Sequence, residues 1–272
     1  MSAFPTAFLS FFAQYLSHML KYLPFGLIGQ CLRYKVSLLP TASLPGAQRK
    51  AWIHTIRQKH QYVSEAYILS KFSNYSYVVY VEKNNATQGL MFIHSFEQDK
   101  TSYLYVGPIF FVSKLALGLC VAWLIELRAK KNFSLHLCAE VQNPEIIMYW
   151  HTVMPAARTF PQAMTFHITK AAIKTMAVFA KHVPQLDCLS LQQFCSRGYQ
   201  SLFKATQSTI PLVHWLKKNG IDLAQGDSLV MLTILLKEDL PSLRQKIWYC
   251  FFTYPAHRKK YLLLLSSLTT KN

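Results

Sequence analysis

Three alternating apolar stretches joined by short polar turns constrain this chain more than any other part of it. They are SYVVYVEK (76–83), TQGLMFIHSF (87–96) and TSYLYVGPIFFV (101–112), separated by NNA and by the charged EQDK. Alternation with a period of two, bounded by Asn and Asp, predicts strands rather than helices. The third stretch carries Gly107-Pro108. Proline has no ladder donor, so this strand is expected to bend, bulge or change partner there.

The following segment, SKLALGLCVAWLIELRAKKN (113–132), is too long and too evenly apolar for one strand. Ser113 can cap a helix start, and Arg128, Lys130 and Lys131 suit its carbonyl-rich end. FSLHLCAEV (133–141) then reads as a strand, and Asn143-Pro144 opens a second helix, NPEIIMYWHTV. An Asn side chain can accept from the first free amides, while Pro at the first helical position loses no hydrogen bond. The order of three strands, helix, strand, helix predicts an α/β fold, a mixed sheet with flanking helices.

Around this centre, LLPTASLPG (38–46) reads as a connector and 47–60 as a helix burying Trp52, Ile53 and Ile56. Helices are expected over 165–183, 189–205 and 210–220, and DSLVMLTILLKEDLPSLRQKIWYCFFTYP reads as further apolar helix. The chain thus divides into an apolar extension and connector (1–46), a core (47–160) and a predominantly helical C-terminal region (161–272), whose independence from the core the sequence leaves open.

With 272 residues, 51% of them hydrophobic, the chain can bury a substantial core. Lys and Arg number 29 against 12 Asp and Glu, for a net charge of +17. The excess is spread over both halves, and it favours anionic partners: nucleic acid, membrane headgroups, acyl-CoA or another phosphate-bearing ligand. None of the six cysteines forms a CxxC pair, which fits free thiols and a cytoplasmic setting. The run IFFVSKLALGLCVAWLIEL (109–127) approaches membrane-spanning length, but Lys114 and the strand-to-helix change divide it into two buried elements. Residues 1–30 lack the basic leading segment of a secretory signal, and could pack on the chain itself or make a peripheral membrane or protein contact.

The elements from SYVVYVEK to NPEIIMYWHTV, over about residues 61–155, resemble in their order the GCN5-related N-acetyltransferase (GNAT) superfamily, as a divergent member. The resemblance implies a mixed GNAT-like sheet in which acetyl-CoA or another acyl-CoA lies in a splay between two parallel strands. Its pyrophosphate would sit on the amides opening the next helix, and its acyl carbonyl would face a small-molecule or peptide amine. Carried over, Tyr105–Val112 would be the first splayed strand and Leu135–Val141 the second. Val106, Gly107, Ile109 and Val112 would line the acyl group, Lys114 and Gly118 the phosphates, and Asn143 the start of the last helix. The chain departs from the family pattern in two places. VSKLALGL lacks the Q/R-x-x-G-x-G/A phosphate loop. The Tyr that often follows Asn by seven residues is replaced by Trp150, with Tyr149 one position early.

Glu140 and His136, four apart on one strand, share a face. Glu140 is the candidate base and Tyr149 the candidate acid, each weighed against a purely structural role. His136, His94 and His151 read first as structural groups. No HExxH, paired cysteine set, GxGxxG, GxxxxGK[ST] or GxSxG is present. HRKKY (257–261) could touch phosphates, but no nucleic-acid module accompanies it. Two functions remain open: acyl transfer from acyl-CoA to an amine, or a non-catalytic GNAT-like module binding a protein, nucleic acid or anionic membrane.

Overall fold

The computed structural model describes residues 14–19, 29–61, 63–112, 114–129, 134–162, 165–197 and 211–249. Strand β1 (Tyr34–Pro40) leads through a short 3-10 turn into helices α1 (Gly46–Lys59) and α2 (Glu65–Asn74). The alternating stretches form β2 (Tyr77–Lys83), β3 (Ala86–Gln98) and β4 (Thr101–Phe111). Helix α3 (Lys114–Ala129), strand β5 (Ser134–Val141) and helix α4 (Pro144–Val153) follow. The remainder comprises β6 (Thr159–Phe160), α5 (Lys170–His182), β7 (Leu189–Ser190), β8 (Cys195–Ser196), α6 (Pro211–Lys218), β9 (Ser228–Leu236) and α7 (240–249).

Local chemistry explains the meander. Asn84 and Asn85 take φ of 50° and 63°, and Asp99 and Lys100 take 49° and 61°. Two consecutive positive φ angles make the tight hairpin turn whose twist matches paired strands, and Asn and Asp tolerate it best. β1 through β4 are consequently antiparallel neighbours. After the α3 crossover, β5 returns parallel to β4, Thr101 opposite Ser134. The 109–127 run is divided as expected, between the end of β4 and α3.

The sheet order is β1-β2-β3-β4-β5-β9-β8-β7, with β6 also on β9. Helices cover both faces. Leu104, Val106, Leu137, Ala139 and Met231 meet α3, α4 and α7 on one side. Tyr105, Cys138, Phe92 and Val230 meet α1, α2 and α5 on the other. Trp52, Ile53 and Ile56 are buried on the second side, as their spacing predicts.

Helices over 170–182 and 211–218 fulfil the C-terminal expectation, and the latter ends before Gly220 at φ 80°. Two segments there differ. Ser228–Leu236, read as helix, is a strand pairing antiparallel with β5. Its Leu229 and Met231 enter one core while Val230 and Leu232 enter the other, so this run is apolar at every position and shows no alternation. Residues 189–196, also expected to be helical, form a small hairpin, β7 with β8. Residues 198–205 of that expectation lie outside the described residues. A strand also occupies 34–40, where the connector had been expected to start at 38; β2 pairs with it throughout.

Candidate functional site

The site begins with a mismatch in the ladder between β3 and β4. Met91 faces Ile109 and Ile93 faces Val106, so Phe92 stands against two residues, Gly107 and Pro108. This is the bulge that the missing proline donor predicts. The parallel β4–β5 pairing ends there, at Val106 opposite Ala139. Both strands continue past it. β4 runs on beside β3 to Phe111, and Glu140 and Val141 of β5 pair only with Val230 and Leu229 of β9 among the described strands. The two parallel strands therefore part into a splay whose near edges are Gly107–Ile109 and Glu140.

Glu140 anchors the α2 side of this splay. The Tyr105 hydroxyl donates to its Oε2 at 2.7 Å. The two residues project from the same face because Cys138, between His136 and Glu140, takes that face too. Tyr75 stacks on Tyr105, with centroids 6.2 Å apart and planes within 9°. The Tyr75 ring also lies on Gly107, where a Cβ would come within 2.2 Å of it. Only glycine fits under that ring.

On α2, Tyr67 and Lys71 lie in the field of the same carboxylate, and Lys71 Nζ stands 4.2 Å over the Tyr67 ring. Burial and then the charge of Glu140 push the Tyr67 hydroxyl up to about 12. The same two causes, in the same order, raise Tyr105 well above the ordinary phenol range. Burial lowers Lys71, opposed by the Glu140 charge. Neutral phenols and one cation thus surround an anionic group in a half-dry corner.

The opposite side carries the elements assigned to phosphate and leaving group. α3 opens at Lys114; the Lys114 side chain and Ser113 lie outside the described residues. Gly118, one turn into α3, would meet nothing within 4 Å if it bore a Cβ, so its flank faces unfilled space. Val106 and Ile109 belong to the α3-side core, and Val112 is exposed with its amide donating to Gln88 O at 3.0 Å. Asn143 caps α4, its side chain accepting from Glu145 N at 2.9 Å. Tyr149 packs on the α3 side, away from the face that holds Glu140. The position seven residues beyond Asn143 is closed to solvent chemistry, because Trp150 Nε1 donates to Thr233 Oγ1 at 2.8 Å.

The structure therefore brings Glu140 together with Tyr105, Tyr67, Lys71 and Tyr75, none of which the sequence singled out as site residues. It separates Glu140 from Tyr149 by the thickness of the sheet. His136 stays on the Glu140 face with its ring edge-on to Tyr103 at 4.9 Å. His94 bonds Ser76 Oγ at 2.8 Å through Nδ1. Burial pushes His136 and His151 down to about 4. Among the described residues no cluster of three or more His, Cys, Asp or Glu is placed to hold a metal, and no helix is long and apolar enough to cross a membrane.

An antiparallel meander, a helical crossover to a parallel strand, a splay at the bulge and a helix after the second splayed strand are now all in place. This is a GNAT-like architecture. No family model and no curated protein matches the sequence. Among solved structures, the chain is similar to an aminoglycoside acetyltransferase from an uncultured soil metagenomic sample, in complex with sisomicin. That match has 13% identity over 50% of this chain and 96% of the other, with a TM-score of 0.36. It is also similar to Ard1 from Thermoplasma volcanium, with 14% identity over 49% and 90% and a TM-score of 0.31. Arabidopsis thaliana Naa50 in complex with the bisubstrate analogue CoA-Ac-MVNAL matches with 12% identity over 49% and 89% and a TM-score of 0.29.

Proposed function

We propose that this GNAT-like chain transfers an acyl group from acyl-CoA to an amine. The observation that carries the reading is the splay: β4 and β5 part after Val106 and Ala139, and Glu140 sits at its edge with one oxygen held by Tyr105. The residues present fit such a donor. The first amides of α3 would receive the phosphates, since a helix start concentrates free N–H groups. The unfilled flank of Gly118 admits a group close to the backbone. Gly107 and Ile109 offer main-chain polar groups beyond the β4–β5 ladder.

When bound, the donor supplies an activated thioester carbonyl. Positioning the amine against it removes much of the entropic barrier. Glu140 takes the proton from the amine, and Tyr105 fixes the carboxylate for that task. Tyr149, on the α3 side with the donor, gives a proton to the departing sulfur. Trp150 has no part in this, being committed to Thr233.

Calorimetry with acetyl-CoA and longer acyl-CoAs is the deciding experiment, followed by turnover assays with small amines and peptides. The expected results are saturable binding, and a fall in turnover of about 10²-fold for Glu140→Gln with binding retained. A folded protein that binds none of these donors overturns the reading.

A second reading, a non-catalytic interaction module, draws on the Val112 amide already serving Gln88 and on the charge of +17. It predicts association with RNA, DNA or anionic vesicles that weakens steeply with salt. A flat salt response with donor binding intact removes it. The contact through residues 1–30 that this reading could also use lies largely outside the described residues.

A further inference from the structure

Tyr67, Lys71 and Tyr75 recur every fourth residue along α2 and its C-cap, a spacing that stacks side chains on one helical face. The stripe crosses the mouth of the splay. Its lower end, Tyr75, lies on Gly107 of β4. Its upper part, Tyr67 and Lys71, lies in the field of Glu140 of β5. The Lys71 ammonium rests 4.2 Å over the Tyr67 ring, a cation–π contact that restrains a flexible side chain. A primary alkylamine thus lies over an aromatic face on the helix that crosses the splay, within the field of the carboxylate that serves as base in the proposed reaction. Among the described lysines most stand on solvated faces, whereas Lys71 is half-buried beside the site.

We propose that Lys71 is an acyl acceptor of the chain's own reaction, so that the protein acylates itself at this residue. The inference rests on the acyltransferase reading above. Once the ammonium has released one proton to solvent, the lone pair of Lys71 Nζ attacks the thioester carbonyl carbon, a C–N bond forms and the C–S bond breaks. The proton lost by nitrogen passes to Glu140, and the departing thiolate of CoA takes a proton from Tyr149, which solvent restores. The product is a neutral amide at the mouth of the splay. Burial favours the neutral amine that this attack requires, and it lowers the basicity of Lys71 accordingly. Acylation also abolishes the positive charge that faces Glu140, so the modification changes the electrostatics that any later acceptor meets.

The experiment incubates the full chain with acetyl-CoA and no added amine, follows the intact mass, and maps the modified peptide. The expected result is one acetyl group, on Lys71, added at least ~10-fold faster than at exposed Lys50 or Lys217, and ~10-fold or more slower in Glu140→Gln. Lys71→Arg, which keeps the charge, should lose the increment while calorimetry still registers acetyl-CoA. Should Glu140→Gln fail to fold, the ratio of Lys71 to exposed lysines in the unaltered chain decides alone. Acetyl-CoA bound, with Lys71 modified no faster than Lys50, overturns this inference and leaves the acyltransferase reading standing. No binding of acetyl-CoA overturns both.

Discussion

The two faces of the sheet are buried to the same depth with different materials. Against α3, α4 and α7 the sheet presents Val79, Val81, Ile93, Leu104, Leu137 and Met231, side chains without polar tips. Against α1, α2 and α5 it presents Tyr80, Phe92, Tyr103, Tyr105 and Phe110, met by Trp52, Phe72, Tyr75 and Phe179. An aliphatic face packs and does little else. An aromatic one buries as much area and carries hydroxyls into the interior, where each needs a partner. Glu140 stands on the aromatic face, where Tyr105 supplies a donor to its carboxylate. The ionic exception on the aliphatic side, Glu126 with Arg244, lies between two helices rather than on the sheet.

That exception gives the sharpest test of the comparison. Glu126→Ala should cost about 3–5 kcal/mol in urea unfolding by removing the carboxylate from a largely buried Arg244. The double replacement by Met and Leu should recover most of it. A loss under about 1 kcal/mol would mean the pair is effectively solvated. On the sheet itself, Tyr105→Phe should cost about 1.5–3 kcal/mol, because it removes a hydrogen bond to a charged group and keeps the ring. An unchanged denaturation midpoint would break the claim that aromatic tips matter on that face.

Titration offers a subtler probe. His136, on the aromatic face, and His151, on α4 across the sheet, are both held down to about 4 by burial, against 6.5 when free. Above 6.5 both states are neutral and pH has no effect through them. Between 6.5 and 4 the unfolded chain takes up protons that the folded one refuses, so stability falls as pH falls, and the loss levels off below 4. Thermal melts across that window should show the decline, and His136→Gln with His151→Gln should flatten it. Gly118→Ala should have the smallest effect and the opposite sign. It should stabilise by about 0.5–1 kcal/mol, since a methyl meets nothing there and glycine weakens a helix. The same change should weaken acetyl-CoA binding if the flank admits the donor; unchanged affinity would place the phosphates elsewhere.

Much of the sheet could be read because local chemistry dictates it. Asn84-Asn85 and Asp99-Lys100 sit where φ must be positive, and Pro108 cannot join a ladder, so the hairpins and the bulge follow from residue type alone. β9 could not be read, because its run from 229 to 232 is buried on both faces and apolar throughout, leaving no period to see. The site was half legible. Alternation along one strand puts Glu140 and His136 on one face, and Asn143-Pro144 marks the following helix. The pairing of Glu140 with Tyr105 depends on parallel register across a crossover, which no short-range pattern encodes. The four-residue stripe of Tyr67, Lys71 and Tyr75 is visible in the sequence, but its meaning needs Gly107 beneath it. Tyr149 came from the resemblance and Glu140 from strand alternation, and the two stand on opposite faces of the sheet.

The pairing of β5 with β9 sets an order on how the chain can be made. Ser134 finds its partner at Leu236, so a nascent chain that has already delivered both splayed strands still has one side of β5 without its mate. Until the ribosome reaches that point, the flank of Leu135, Leu137 and Ala139 is an unguarded edge, able to recruit the same strand from a neighbouring copy. Closing so wide a loop is slow compared with zipping the hairpins of the meander. Synthesis of this protein therefore runs longest with its most adhesive strand half covered, and any stop before residue 228 leaves that strand permanently without its mate.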